Sequence, residues 1–208
     1  SGVAIGHYAS STHEENGEGG GIAIGSYASA ASDGSIAIGY GVESDHTSAE
    51  GQYSIALGYS AATSILEGDT TGGYATAIGA NSSAVSYAAA LGANAQATSN
   101  SSLAIGVWSS AYSNWSIAIG HNAVSGEDVA NSSVINTLAV GRSAHANQTN
   151  ATAIGSYASA AGENAVAIGA NASATGTNST AFGYEASSAN SGVAIGHYAS
   201  STHEENGE

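Results

Sequence analysis

Carboxylates, histidines and aromatic rings are the side chains here that could do chemistry, and their spacing limits what that chemistry is. Ten of the sixteen acids gather in four stretches, Glu14, Glu15 and Glu18; Glu43, Asp45 and Glu50; Glu67 and Asp69; Glu127 and Asp128, and the C-terminal copy of the first adds Glu204, Glu205 and Glu208. A calcium loop needs oxygen ligands alternating along about twelve residues, and neither "EGDTTGG" at 67–73 nor "SGED" at 125–128 has that order. His13-Glu14-Glu15 lacks the second histidine of H-E-x-x-H, and nothing places it on a helix. A glycosidase needs two carboxylates flanking one bond, whereas these acids are scattered among small loops. No cysteine is present, and no Ser-His-Asp grouping is tied to a pocket. The expectation is therefore no enzyme, no catalytic residue, no cofactor and no metal. The acids read as solvated loops that keep an Ala-rich chain soluble, or as a charged binding rim.

An aromatic row is the stronger candidate for binding. Tyr8, Tyr27, Tyr40, Tyr59, Trp108, Tyr157, Tyr184 and Tyr198 each stand one or two positions after a recurring glycine. Tyr and Trp offer rigid contact area with a polar tip, so these eight are candidate ligand-binding residues. The competing reading is packing along an edge or between chains. His7, His121 and His197 directly follow the same glycine and read as exposed edge residues. Eight Asn-x-Ser/Thr sequons occur, at Asn81, Asn100, Asn114, Asn131, Asn147, Asn150, Asn171 and Asn178, in a chain where Asn-Ser is part of the repeat.

The glycine belongs to a tetrad, apolar-Ala-apolar-Gly, that occurs thirteen times, from VAIG at 3–6 to VAIG at 193–196. Successive tetrad glycines are 19, 14, 19, 21, 13, 14, 14, 21, 14, 14, 14 and 13 residues apart, so the base period is 14. That is too short for a helical hairpin repeat, and the tetrad alternates with period two, which signals a strand. A small residue three places after the glycine, as at Ala28, Ala61 and Ala95, marks a second short segment. Two short strands and two tight turns fill fourteen residues, giving an all-β solenoid of stacked parallel coils. Alternation puts the β-branched residues on one face and Ala and Gly on the other. The expectation is that the bulky face (Val3, Ile5, Ile22, Ile24, Ile36, Ile38, Ile55, Leu57, Ile117, Ile119, Val166, Ile168, Val193 and Ile195) forms the structural core. The Ala/Gly face would then meet a neighbouring chain, because so slim a roll buries too little alone.

Composition agrees with a thin structure. Charged residues are 8%, and Pro, Cys and Met are absent. With a net charge of −15 and Arg142 as the only Lys or Arg, the chain cannot neutralise phosphates, which excludes nucleic acid and direct contact with anionic membrane. The segment "SGVAIGHYASSTHEENGE" at 1–18 returns at 191–208, one interval of 190 residues away. This predicts a single repetitive segment over 1–208, part of a tandem array in a longer parent that carries any export signal or anchor.

Repeats such as "NSSLAIGVWSSA", "NWSIAIGHNAV", "NAVAIGANASA" and "NSGVAIGHYAS" resemble the head domains of trimeric autotransporter adhesins of the YadA type, over essentially the whole chain. The resemblance implies a left-handed parallel β-roll, a homotrimer, and extracellular display on a bacterial surface. It also implies that the large tetrad residues fill a hydrophobic core while Gly and Asn/Ser serve the turns. Departures are the four lengthened connections and the smaller residues Thr76, Ala89, Thr152 and Thr180, whose coils should be weaker. The function implied is adhesion by multivalent contacts with an extracellular protein, glycan or surface. A spacer without ligand is the alternative. A monomeric ice- or surface-binding solenoid fits poorly, because it wants a regular Thr array.

Overall fold

The computed structural model describes residues 2–12, 20–66, 73–126 and 133–202. They fold into two compact units, Ser1–Trp108 and Ser109–Glu208. Within each unit every coil contributes a three-residue strand from the tetrad and a two-residue strand after it, as in Ile22–Ile24 and Ser29–Ala30, or Val166–Ile168 and Ser173–Ala174. Tetrad strands pair in parallel with tetrad strands, and short strands with short strands, so each unit is a roll of two parallel sheets.

Register follows the tetrad and ignores the length of chain between. Val3 pairs with Ile22, Ile36 with Ile55, Ile55 with Thr76 and Ile117 with Leu138, across four lengthened connections. Thr76 pairs with Ala89 across a shortened one. The Gln52 and Gly73 backbones, and those of Asn114 and Ile135, bridge in parallel across two of the long connections. The length of a connection therefore leaves the pairing of the tetrads on either side unchanged. In the connection over 40–47 a small antiparallel bridge joins Val42 to Asp45, with backbone N–H donors in both directions at 2.9 and 3.1 Å.

The interior corrects the expected assignment of faces. Ala23, Ala37, Ala56 and Ala77 in the first unit, and Ala139, Ala153, Ala167 and Ala181 in the second, are fully buried. Around them lie the residue before the tetrad (Ser35, Ser54, Ser116, Ala165), the small residue three after its glycine, and the second residue of each short strand. The largest side chains with under 2% exposure are threonines, Thr47, Thr63 and Thr137. The residues expected as structural core, Val3, Ile5, Ile22, Ile24, Ile36, Ile38, Ile55, Leu57, Ile117, Ile119, Val166, Ile168, Val193 and Ile195, are not buried in their own roll. The gap between the two sheets is filled by Ala, Ser and Thr side chains, so alternation sends the larger aliphatic residues outward.

Interior hydroxyls fit the same narrow space by turning back on the chain. Ser35 Oγ donates to the Ser32 carbonyl at 2.6 Å, and Ser102 Oγ to that of Ser99 at 2.6 Å. Thr63 and Ser54 join hydroxyls at 3.0 Å, and Ser125 and Thr137 at 2.8 Å. An alanine core contributes little hydrophobic energy per coil. Cohesion comes largely from the backbone: Gly39 N–H donates to the Ile24 carbonyl at 2.9 Å, and Ile22 N–H to that of Ser35 at 2.8 Å, a pattern repeated coil after coil.

Candidate functional site

Two surfaces are built by this geometry, an aliphatic face and a pair of turn edges. On the outer face of the tetrad sheet the first and third tetrad residues form two rows. The third position is Ile, Leu or Val in every coil except one, where it is Phe182. Phe182 shares its coil with Thr180, so the largest ring accompanies one of the smaller first residues. These rows are half exposed along the sheet, with Ile38 and Ile78 both at 38%. Contiguous exposed apolar area of this kind marks an interaction surface.

Among the described residues most turns hold one residue in the left-handed region, either two positions after the tetrad glycine or two positions before the tetrad, with Gly41 and Gly20 as exceptions. The tetrad glycine has its own constraint: at Gly58 φ is +136°, and a Cβ there would sit 2.7 Å from the carbonyl carbon of Gly79 in the next coil. Only Gly combines that dihedral with that approach.

The expected aromatic row divides between two positions. Tyr8, Tyr27, Trp108, Tyr157 and Tyr198 occupy the left-handed position, with φ between 54° and 60°. Tyr40, Tyr59 and Tyr184 stand one residue earlier. They meet in pairs: Tyr8 and Tyr27 have centroids 5.1 Å apart, Tyr40 and Tyr59 6.0 Å, Tyr184 and Tyr198 5.6 Å. Arg142 lies over the Tyr157 ring at 4.5 Å, a cation–π contact. A hydrogen bond with Glu185, helped by that residue's negative charge, holds the Tyr184 phenol above its ordinary pKa.

A second aromatic column on the other turn edge was missed by counting forward from the glycine. Tyr53, Tyr74 and Tyr87 stand two residues before their tetrads ("YSIALG", "YATAIG", "YAAALG") at φ 54°, 55° and 60°. Counting backward from the tetrad reveals them, because they replace the Asn of the repeat. In four coils of the second unit that Asn is retained and builds a ladder, while Trp115, at φ 57°, and Ser191, at φ 58°, hold the position in two others. Asn136 Nδ2 donates to Asn150 Oδ1 at 3.3 Å, Asn150 to Asn164 at 3.0 Å, and Asn164 to Asn178 at 3.1 Å. Two sequon asparagines, Asn150 and Asn178, are thus members of a side-chain ladder.

Of the acidic candidates, Glu43, Asp45 and Glu50 are exposed on the 40–54 connection. Glu14, Glu15, Glu18, Glu67, Asp69, Glu127 and Asp128, with His13 and the sequon at Asn131, lie outside the described residues. Among the described residues no group of three or more His, Cys, Asp or Glu side chains could hold a metal.

A stack of parallel two-strand coils, small inside and aliphatic outside, defines a β-roll repeat protein. Residues 19–41, 47–66, 86–107, 98–123, 135–158 and 160–186 match the YadA head domain repeat (2 copies), together more than half of the chain. The chain belongs to the YadA head family, whose members are structural domains of adhesins rather than enzymes. Comparison with curated protein sequences gives no match.

Proposed function

We propose that three copies of this chain associate through the exposed aliphatic face, and that the assembly is an adhesive head displayed outside a bacterial cell. The observation that carries this reading is the inversion of packing, with alanine inside the roll and two rows of Ile, Val and Leu outside it. Burial of apolar surface contributes about 25 cal/mol per Å², and the roll interior, filled by Ala, Ser and Thr side chains, supplies little of it. A closed ring of identical chains removes the rows from water while every copy uses the same face. Membership of the YadA head family supports the same assembly and a surface-exposed setting.

Adhesion then works by repetition. Weak contacts with an extracellular protein, glycan or abiotic surface recur along the roll and on each chain, and effective concentration multiplies them. The row Tyr8, Tyr27, Tyr40, Tyr59, Trp108, Tyr157, Tyr184 and Tyr198 is proposed to take part, because seven of its eight members are exposed. The pairing of Tyr8 with Tyr27 and of Tyr40 with Tyr59 favours the second reading, a spacer whose aromatics serve packing between coils.

Light scattering coupled to size exclusion tests the assembly: the expected mass is three times 20.1 kDa. Substituting Ile154→Asp and Ile168→Asp together should yield monomers that keep the β-sheet circular dichroism signal, because both side chains point out of the roll. A wild-type chain that is folded and monomeric refutes the assembly. Binding to immobilised matrix proteins and plastic separates adhesin from spacer, since a spacer stays at background.

A further inference from the structure

The column before the tetrad in the first unit links three tyrosines in series, where the other turn edge has pairs. Backbone bonds fix its spacing: Tyr53 N–H donates to the Asp33 carbonyl at 3.0 Å, Tyr74 N–H to Gln52 at 2.8 Å and Tyr87 N–H to Gly73 at 3.0 Å. The rings of Tyr53 and Tyr74 are 5.5 Å apart with planes 27° from parallel, and those of Tyr74 and Tyr87 are 5.8 Å apart at 16°. Coils repeat about every 4.8 Å, and touching aromatic carbons lie about 3.5–4.0 Å apart. The rings are therefore offset like shingles rather than eclipsed, and part of each face stays open. Exposures of 57%, 56% and 43% agree. At the start of the column Tyr53 lies over Gly34, where a Cβ would come within 2.6 Å of Cδ1.

Placing tyrosine here works against the backbone. A bulky residue is disfavoured in the left-handed region, which Asn adopts readily. The chain uses Asn at the same turn position four times in its second unit, at Asn136, Asn150, Asn164 and Asn178. Residues held in such conformations cluster where ligands bind.

We propose that Tyr53, Tyr74 and Tyr87 form a subsite for a neutral, linear polysaccharide lying along the roll axis, one sugar ring per coil. Open ring faces suit the C–H faces of pyranoses, and the phenol hydroxyls can donate to and accept from sugar hydroxyls. An extended β-1,4-linked chain advances per sugar by a distance slightly greater than the strand spacing of about 4.8 Å, so over three coils column and ligand stay nearly in step. A net charge of −15 with a single Arg repels uronate or sulfated chains and leaves neutral ones. The subsite deepens the adhesive reading and rests on it, by naming a ligand class.

The test is affinity electrophoresis of the 208-residue chain in native gels containing hydroxyethyl cellulose, glycol chitin or, as an acidic control, alginate. Wild type should be retarded by a neutral polymer and not by alginate. The variant Tyr53→Asn/Tyr74→Asn/Tyr87→Asn uses the residue native to this turn, so it should fold with unchanged mass and circular dichroism. Its binding should fall by about tenfold or more, as expected for loss of aromatic anchors, while the triple Tyr→Phe variant stays within a few fold of wild type. The proposal is overturned if neither neutral polymer retards wild type, or if the Asn variant binds equally well. It is also overturned if the Asn variant changes mass, which would assign the column to contact between copies. Binding to matrix proteins without glycan binding sinks this subsite alone; binding to nothing sinks the adhesive reading with it.

Discussion

Gly155→Ala probes how closely successive coils approach. Gly155 has φ +135°, and a Cβ added there would lie 2.6 Å from the carbonyl carbon of Gly169. An alanine held at that dihedral costs about 1–3 kcal/mol. The clash is with backbone, so the two coils must part, weakening bonds such as Gly169 N–H to Ile154 and Asn171 N–H to Ser156, at 2.8 and 2.9 Å. Losing two such bonds adds about 1–3 kcal/mol at the usual net value. Together they give an expected cost of about 2–6 kcal/mol. Gly196→Ala provides the comparison: φ is +130°, but the nearest atom to its Cβ is that of Ala199, at 3.8 Å. That variant should show only the dihedral cost, about 1–3 kcal/mol. Hydrogen exchange at amides of the affected coil, each variant against its own wild-type coil, reads the two separately and removes the effect of end fraying. Urea denaturation followed by tryptophan fluorescence gives the global value for Gly155→Ala. Equal local costs at the two glycines would refute the close-approach argument, as would a Gly155→Ala cost below about 1 kcal/mol.

Asn164→Ala removes two rungs of the asparagine ladder, the bonds to Asn150 and Asn178, and should destabilise by about 1–2 kcal/mol because each is a partly solvated bond. Asn164→Asp keeps the acceptor but loses the donor toward Asn178; a urea midpoint closer to wild type than that of Asn164→Ala is the expected result. Raising NaCl from 10 mM to 150 mM shortens the screening length from about 30 Å to about 8 Å. With sixteen carboxylates and one Arg, the fold should gain stability over that range, read as a rise in melting temperature.

The period, the strands and their register were legible in the sequence, because the Ala-x-Gly positions recur without exception and tetrads pair residue for residue in the fold. The orientation of the sheet was not. Alternation assigns Ile22 and Ala23 to opposite faces but carries no sign, and ordinary sheets put the bulky face inward. The missing sign lay in the partner strand: Ser29–Ala30, Ser48–Ala49 and Ser159–Ala160 carry no large apolar residue to meet an inward isoleucine. A bulky face with no bulky partner in its own chain must point away from that chain. The second aromatic column was hidden for another reason. Tyr53, Tyr74 and Tyr87 follow lengthened or shortened connections, so their distance from the preceding glycine varies while their distance to the next tetrad is constant.

Because pairing depends on the tetrad and ignores the chain between, the roll can be edited in whole turns. A gene segment duplicated or lost between any two tetrads delivers strands whose alanines meet alanines and whose glycines stack on glycines, wherever the breakpoint falls. Most interior positions among the described residues repeat Ala or Ser from coil to coil, so a new junction brings together side chains of similar small size. The number of coils is then a quantity that recombination can adjust without redesigning the protein, and the identical segments at 1–18 and 191–208 are long homologous stretches of the kind such recombination needs.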